Sequence, residues 1–488
     1  MEQEWPKGRT PDGERLRRSE TMNRWMIRAR SWLAELLTNP GVFALTAFTV
    51  SGMFTPGRLG QWRGMIELNV ILPWGLALCL VRLMRAGRAQ TLRRDVCALF
   101  VLLAWLIVPF AMRFGPTDAQ INTWQNFANV FLGIYALTAE EDAARFDRQL
   151  RVTTALFAAV TAVYAGALLY CAVTVQSGDL TSEFGFGVYQ YAQLCAAQHY
   201  NATGMLAMCA AFICLTGAAR GRSLASRLLH LIPALMAMLV VILSQSRTAR
   251  YSLLIGLAVG AYGAMAAGRW HPRALVRHAA GVLAGIVVLG GGYLAAAGIT
   301  NAALLHYAKA RAGQETVSLV AAARAEETAA EEEPLEVKEA RGLGDATFTG
   351  RTDVWNNIFA MWKANPKYFL IGNGVGRTSR DILIGTPLEH GGANMAHNAF
   401  IQFTMDYGLI ALVLLFAFAL TVLVPVLRTL YAPPGTAGAG CRFMCMLIVA
   451  CLMTAMMENE PLNAMRPCNV VLFYALACAV CAGRRKAE

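Results

Sequence analysis

The stretch "LLHLIPALMAMLVVILSQSRTARYSLLIGLAVGAYGAMAA", residues 228–267, holds two apolar runs joined by a turn that carries Arg247 and Arg250. As an α-helix, each run with its flanking residues reaches the roughly 20 residues needed to cross a hydrocarbon core of about 30 Å. Neither run alternates apolar with polar residues, so strands of a membrane β-barrel do not fit. The segment reads as a hairpin of two membrane-spanning helices.

The same pattern repeats outward along the chain. Of its 488 residues, 56% are hydrophobic and only 15% charged, and the mean hydropathy of +0.43 exceeds what a soluble globular chain tolerates. Twelve spans are expected, centred near residues 46, 74, 104, 130, 164, 211, 236, 260, 289, 418, 449 and 475. The fold class is all-α, a polytopic membrane protein with about twelve transmembrane helices and one long loop. The first 35 residues carry eight Lys or Arg and include the amphipathic "MNRWMIRARSWLAELL", expected to lie on the inner membrane face with no cleavable signal.

Lys and Arg orient the chain, because short loops rich in them stay in the cytoplasm. With the N-terminus inside, segments 82–95, 139–152, 219–228, 268–277, 428–442 and 484–488 hold nineteen, whereas the intervening short segments hold six. Two of those six are Arg247 and Arg250, placed where topology disfavours them. The net charge of +12 is spread over many short loops, which fits anchoring to anionic membrane lipid and not a nucleic-acid surface. The twelve Cys lie mostly inside apolar runs and read as small packing residues.

This layout divides the chain into a cytoplasmic segment 1–35, spans one to nine over 36–299, an extracytoplasmic loop 300–396, spans ten to twelve over 397–483, and a cytoplasmic tail 484–488. The first half of the loop, through "ARAEETAAEEEPLEVKEAR", reads as a solvated helix. The second half changes character at Gly350. Trp355, Ile358, Phe359 and Trp362 recur at helical spacing, Pro366 ends that helix, and Gly372, Gly374 and Gly376 allow a tight turn.

The polar chemistry on the loop side consists of Arg247, Arg250, Arg351, Arg377, His390, His397 and the segment "HYNATG" from His199 to Gly204. No acidic residue dominates this set, no metal-ligand spacing occurs, and no Ser-His-Asp arrangement is evident. Arginines and a histidine remain. A guanidinium binds phosphate oxygens in a fork and stays charged at any working pH, so a diphosphate is its natural partner. A neutral His beside such cations can accept a proton from an attacking hydroxyl.

"SQSRTA", "GRTDVW", "IGNGVG" and "HNAFIQFTMDYGLIAL", in that order and with a large loop before the tenth span, resemble the O-antigen ligase and O-antigen polymerase superfamily. The resemblance implies a metal-independent, inverting glycosyltransferase of the GT-C type without a cofactor. Such an enzyme moves a glycan from an undecaprenyl-diphosphate donor to a glycan or lipid-glycan acceptor, outside the bacterial cytoplasmic membrane. It implies Arg247 and Arg351 as holders of the donor diphosphate and His397 as the catalytic base. His199, Asn201, Asn398, Arg250 and Arg377 are secondary candidates, and Arg250 departs from the family pattern. Repeat-unit polymerisation shares the donor chemistry. A lipid-linked sugar transporter, which would place charged or broken helices at midplane, and a binding scaffold are the competing classes.

Overall fold

In a computed structural model of the chain, the described residues are 33–53, 57–86, 93–113, 118–175, 186–188, 193–196, 200–268, 271–325, 351–374, 396–464 and 466–485. Most of the N-terminal segment 1–35 and the acidic stretch 326–350 lie outside them. So do Gly376, Arg377, His390 and His199.

The described chain runs through α1 (Pro40–Met53), α2 (Trp62–Arg85), α3 (Arg94–Trp105), α4 (Val108–Arg113) and α5 (Asp118–Ala128), which continues through π-type turns to Ala136. α6 (Ala143–Thr174) leads to a two-stranded antiparallel ribbon, β1 (Phe186–Val188) with β2 (Leu194–Ala196), in which Gly187 faces Cys195. Then follow α7 (Tyr200–Arg220), α8 (Leu224–Leu243), α9 (Arg247–Ala267) and α10 (Ala274–Ala325). α11 (Arg351–Ala364) and α12 (Pro366–Ile371) precede α13 (Ala399–Leu430), α14 (Gly438–Ala455) and α15 (Pro467–Arg484).

Among the described residues, nine of these helices are long and apolar enough to cross a membrane. The three other expected centres also fall on helix, in segments that fail for local reasons. α1 is short, α3 and α4 are separated by a turn at Leu106 and Ile107, and α5 begins with polar residues. Two expected boundaries shift. α10 is a single helix of 52 residues that passes residue 300 without a break, about 78 Å long at 1.5 Å per residue. α13 is broken inside its apolar run, at Gly408.

The bundle is built around α7 and α15, whose apolar windows are mostly buried, whereas α10 is almost wholly exposed along its apolar length. An aromatic seam ties α5, α13 and α15: Phe131 meets Phe473 at 4.9 Å, Tyr135 meets Phe418 at 5.1 Å, and Phe127 meets Tyr407 at 5.6 Å between ring centroids. Large side chains such as Val163, Leu275, Leu294 and Leu420 stand exposed on the outside. A water-facing surface does not tolerate so many, and a lipid-facing one requires them.

One end of the bundle gathers the Arg-rich segments, and several of their charges are paired. Arg82 pairs with Glu140 at 2.6 Å, Arg85 with Glu141 at 2.8 Å, and Arg220 and Arg485 share Asp147 at 2.7 and 3.3 Å. Asp95, 1% exposed, takes Arg93 at 2.8 Å and Arg484 at 3.1 Å and accepts the Tyr135 hydroxyl at 2.5 Å. Apart from Arg93 with Asp95, these contacts join segments far apart in the chain, and bring to one level helix ends from segments 82–95, 139–152, 219–228 and 484–488, which the Lys and Arg count assigns to one side.

At the opposite end, α11 and α12 fold over the start of α13. Val354 and Ile358 bury against Ala396 and Met405, with Trp362 and Ile401 alongside. The expected apolar face of α11 is thus partly redrawn, because Val354 joins it and Phe359 stays half-exposed. The break in α13 explains how α12 docks. Gly408 has φ +83° and Gly372 has φ +89°, and each lies so close to the other's backbone that a Cβ would strike a carbonyl oxygen, Leu370 O at 2.2 Å or Asp406 O at 2.6 Å. Carbonyls released at the break need donors. Met405 O accepts from Asn373 N–H at 2.7 Å, Asp406 O from Gly374 N–H at 2.9 Å, and Tyr407 O from the Trp105 indole at 3.1 Å.

Candidate active site

At this end of the bundle four segment ends meet on one carboxylate. Glu458 follows the C-terminus of α14, is 9% exposed, and belongs to none of the candidate motifs. Its Oε1 accepts from Arg351 Nη2 at 3.2 Å and from Asn201 Nδ2 at 3.2 Å, and its Oε2 lies 3.4 Å from His397 Nδ1. Arg351 is the first residue of α11, Asn201 sits in the first turn of α7, and His397 directly precedes α13. An acid therefore organises a set in which the sequence pointed only to cations and a histidine. Its signal was present in "MMENEPLN", residues 456–463, an acidic turn between two apolar runs, but a count of Lys and Arg passes over it.

Arg247 reaches the cluster through its neighbour. Ser246 caps α9, accepting from Ala249 N–H at 3.2 Å, and donates to Asn201 Oδ1 at 2.9 Å. The turn before it is tight because Gln245 takes a left-handed φ of +55°. Arg247 itself lines a cleft between α9 and α10 together with Arg250. Of the three principal candidates, Arg351 and His397 share Glu458, and Arg247 stands beside the relay that ends on it. Asn398 supports the site by capping: its side chain accepts from Phe400 and Ile401 N–H at 3.0 and 3.1 Å and donates to Met456 O at 3.1 Å.

His397 has φ +49°, a left-handed backbone that costs a residue other than glycine about 1–3 kcal/mol unless its surroundings impose it. The surroundings do. The preceding Ala396 is held on both sides, its N–H by Gln402 Oε1 at 3.1 Å and its carbonyl by the Trp355 indole at 2.6 Å. The following Asn398 N–H donates to Asn459 Oδ1 at 2.9 Å. The imidazole remains partly exposed, with 39% of the side chain accessible.

This arrangement has a definite chemical capacity. With Nδ1–H directed at Glu458, the other ring nitrogen carries a lone pair and can take a proton, the carboxylate fixing tautomer and orientation. The 3.4 Å contact is long, as such bonds often are without substrate. Arg351 has five N–H donors; Nη2 donates to Glu458 and Nη1 makes a long contact of 4.0 Å to the Met457 sulfur, so its fork keeps donors for an anion. Next to this acid, burial pushes the Glu460 carboxyl above the usual carboxylate range, opposed by Arg466 and reinforced by the charge of Glu458. Among the described residues, no three His, Cys, Asp or Glu side chains converge as metal ligands.

Residues 231–416 match the family model described as O-Antigen ligase. The match supports, for this stretch, the O-antigen ligase and polymerase superfamily and a multi-pass membrane protein of that type. Arg247, Arg250, Arg351 and His397 lie within the matched stretch; Asn201 and Glu458 lie outside it. No curated protein matches the chain.

Proposed function

We propose that this chain belongs to the O-antigen ligase and polymerase superfamily and transfers a glycan from undecaprenyl diphosphate to an acceptor hydroxyl, with inversion and without a metal ion. The observation that carries the reading is the meeting of Arg351 and His397 on Glu458, with His397 held in a strained backbone. The hydroxyl oxygen of the acceptor attacks the anomeric carbon opposite the diphosphate, and its proton passes to the unpaired ring nitrogen of His397. The bond from that carbon to the diphosphate oxygen breaks, and the electron pair leaves on the diphosphate. Arg351 and Arg247 stabilise the charge that develops there, as preorganised cations do. Glu458 is a positioning residue, since it acts through His397 and Arg351.

The excess of Lys and Arg at the opposite end of the bundle supports an extracytoplasmic site in a bacterial inner membrane. The description of the matched family favours ligation to a lipid-glycan acceptor over repeat-unit polymerisation. The test uses purified protein in detergent with a lipid-linked glycan donor and a lipid-glycan acceptor, following free undecaprenyl diphosphate, extended acceptor and donor binding. Wild type should release both products. His397→Ala should cut transfer by about 10²–10⁴, the usual worth of a general base, with donor binding retained. No release of diphosphate by wild type defeats the transfer reading, and normal turnover by the variant defeats the assignment of the base.

A further inference from the structure

We infer that the cleft between α9 and α10 binds the phosphate group of a membrane lipid, gripped by the guanidinium of Arg250 and entered from the bilayer side. The cleft is shallow and almost wholly apolar at its surface, and is lined by Arg247, Arg250, Tyr251, Leu254, Tyr293 and Ala296. Arg250 is 8% exposed, yet its Nε and Nη1 have no hydrogen-bond partner among the described residues. No ion pair to Arg250 occurs among those residues either. A buried guanidinium left in this state is costly, whereas an anion drawn into the cleft pairs it. The fork geometry selects an oxyanion with several oxygens, phosphate above all.

The way in identifies the amphiphile. α10 is the least buried of the nine long apolar helices among the described residues, and Ile286, Val287 and Leu294 expose their side chains along it. Tyr251 and Tyr293 stand half-exposed at the mouth, the amphipathic rings that mark the level of lipid head groups. Further along the two helices pack closely, with Gly285 against the Ala258 carbonyl, which bounds the cleft on that side. A phosphate lodged at Arg250 therefore leaves its acyl or prenyl chain along the exposed apolar flank of α10. The relay from Ser246 through Asn201 to Glu458 faces α7 and α14, so this pocket adds to the candidate active site. It does not depend on glycan transfer, because lipid retention needs no turnover.

The experiment measures retention by the delipidated full-length protein in detergent, using native mass spectrometry, with three probes: dioleoyl phosphatidylglycerol, undecaprenyl diphosphate and inorganic phosphate. Wild type should retain a lipid probe, and Arg250→Gln should weaken that retention at least about tenfold. Ala296→Trp, which fills the cleft and leaves Arg250 in place, should weaken it similarly and carries the test if Arg250→Gln fails to fold. Retention of phosphatidylglycerol alone identifies a structural lipid, and retention of the diphosphate alone identifies a donor entry port; each supports a lipid-phosphate site. Wild-type retention in both variants overturns the inference. So does displacement of the lipid by millimolar inorganic phosphate, which marks a site for a free anion.

Discussion

The two ends of the bundle treat charge in opposite ways. At the Arg-rich end, buried acids and arginines close on one another: Asp95 takes Arg93, Arg484 and Tyr135, and Asp147 takes Arg220 and Arg485. At the other end a single carboxylate, Glu458, serves Arg351, His397 and Asn201 together, and the buried Arg250 makes no ion pair among the described residues. Paired charges lock helices in register and leave nothing for a ligand. Cations in excess of local acid hold a site open for an anion. The first end is a clasp, and the second is where the proposed chemistry lies.

The largest effect should come from breaking the clasp. Asp95→Ala leaves Arg93, Arg484 and the Tyr135 hydroxyl facing a buried gap, and removing one partner of a buried ionic set costs about 3–5 kcal/mol. Thermal unfolding in detergent should drop accordingly, while transfer per folded molecule stays at the wild-type level. Lost transfer with unchanged unfolding would reverse the roles given to the two ends.

A smaller effect separates charge from shape at the site. Glu458→Gln keeps the size and one acceptor oxygen but loses the charge that orients His397 and engages Arg351. Transfer should fall at least about tenfold, equivalent to about 1.4 kcal/mol of barrier. Unchanged activity would reduce Glu458 to a packing residue.

The smallest effect concerns Glu460 on the same turn. Its carboxyl is raised above the usual range by burial, so the folded chain holds that proton more tightly than the unfolded chain. This contribution to stability is complete below the ordinary carboxylate range and is lost as pH rises through the raised value. Glu460→Gln, neutral throughout, should unfold at a higher temperature than wild type near neutral pH, with the gap closing as pH falls. A gap independent of pH would mean that the acid turn is not under electrostatic strain.

What the sequence by itself determined is local. Apolar runs of membrane length, with polar turns between them, predicted helix at every expected centre from 46 to 475, because a backbone inside lipid must satisfy its own hydrogen bonds within each segment. The motif residues Arg247, Arg351 and His397 were equally legible as cations and a histidine on one side. Even the left-handed backbone at His397 was beyond reach, since it depends on Trp355, Gln402 and Asn459 pinning its neighbours. The remainder was decided by which helix ends meet in three dimensions. The turn after α14 carries Glu458 beneath α11, the break at Gly408 admits α12, and the α9–α10 contact turns Arg250 into a buried cleft. Periodicity along a chain records which face of a helix is apolar, but a carboxylate 61 residues from its histidine acquires its role only when the bundle closes.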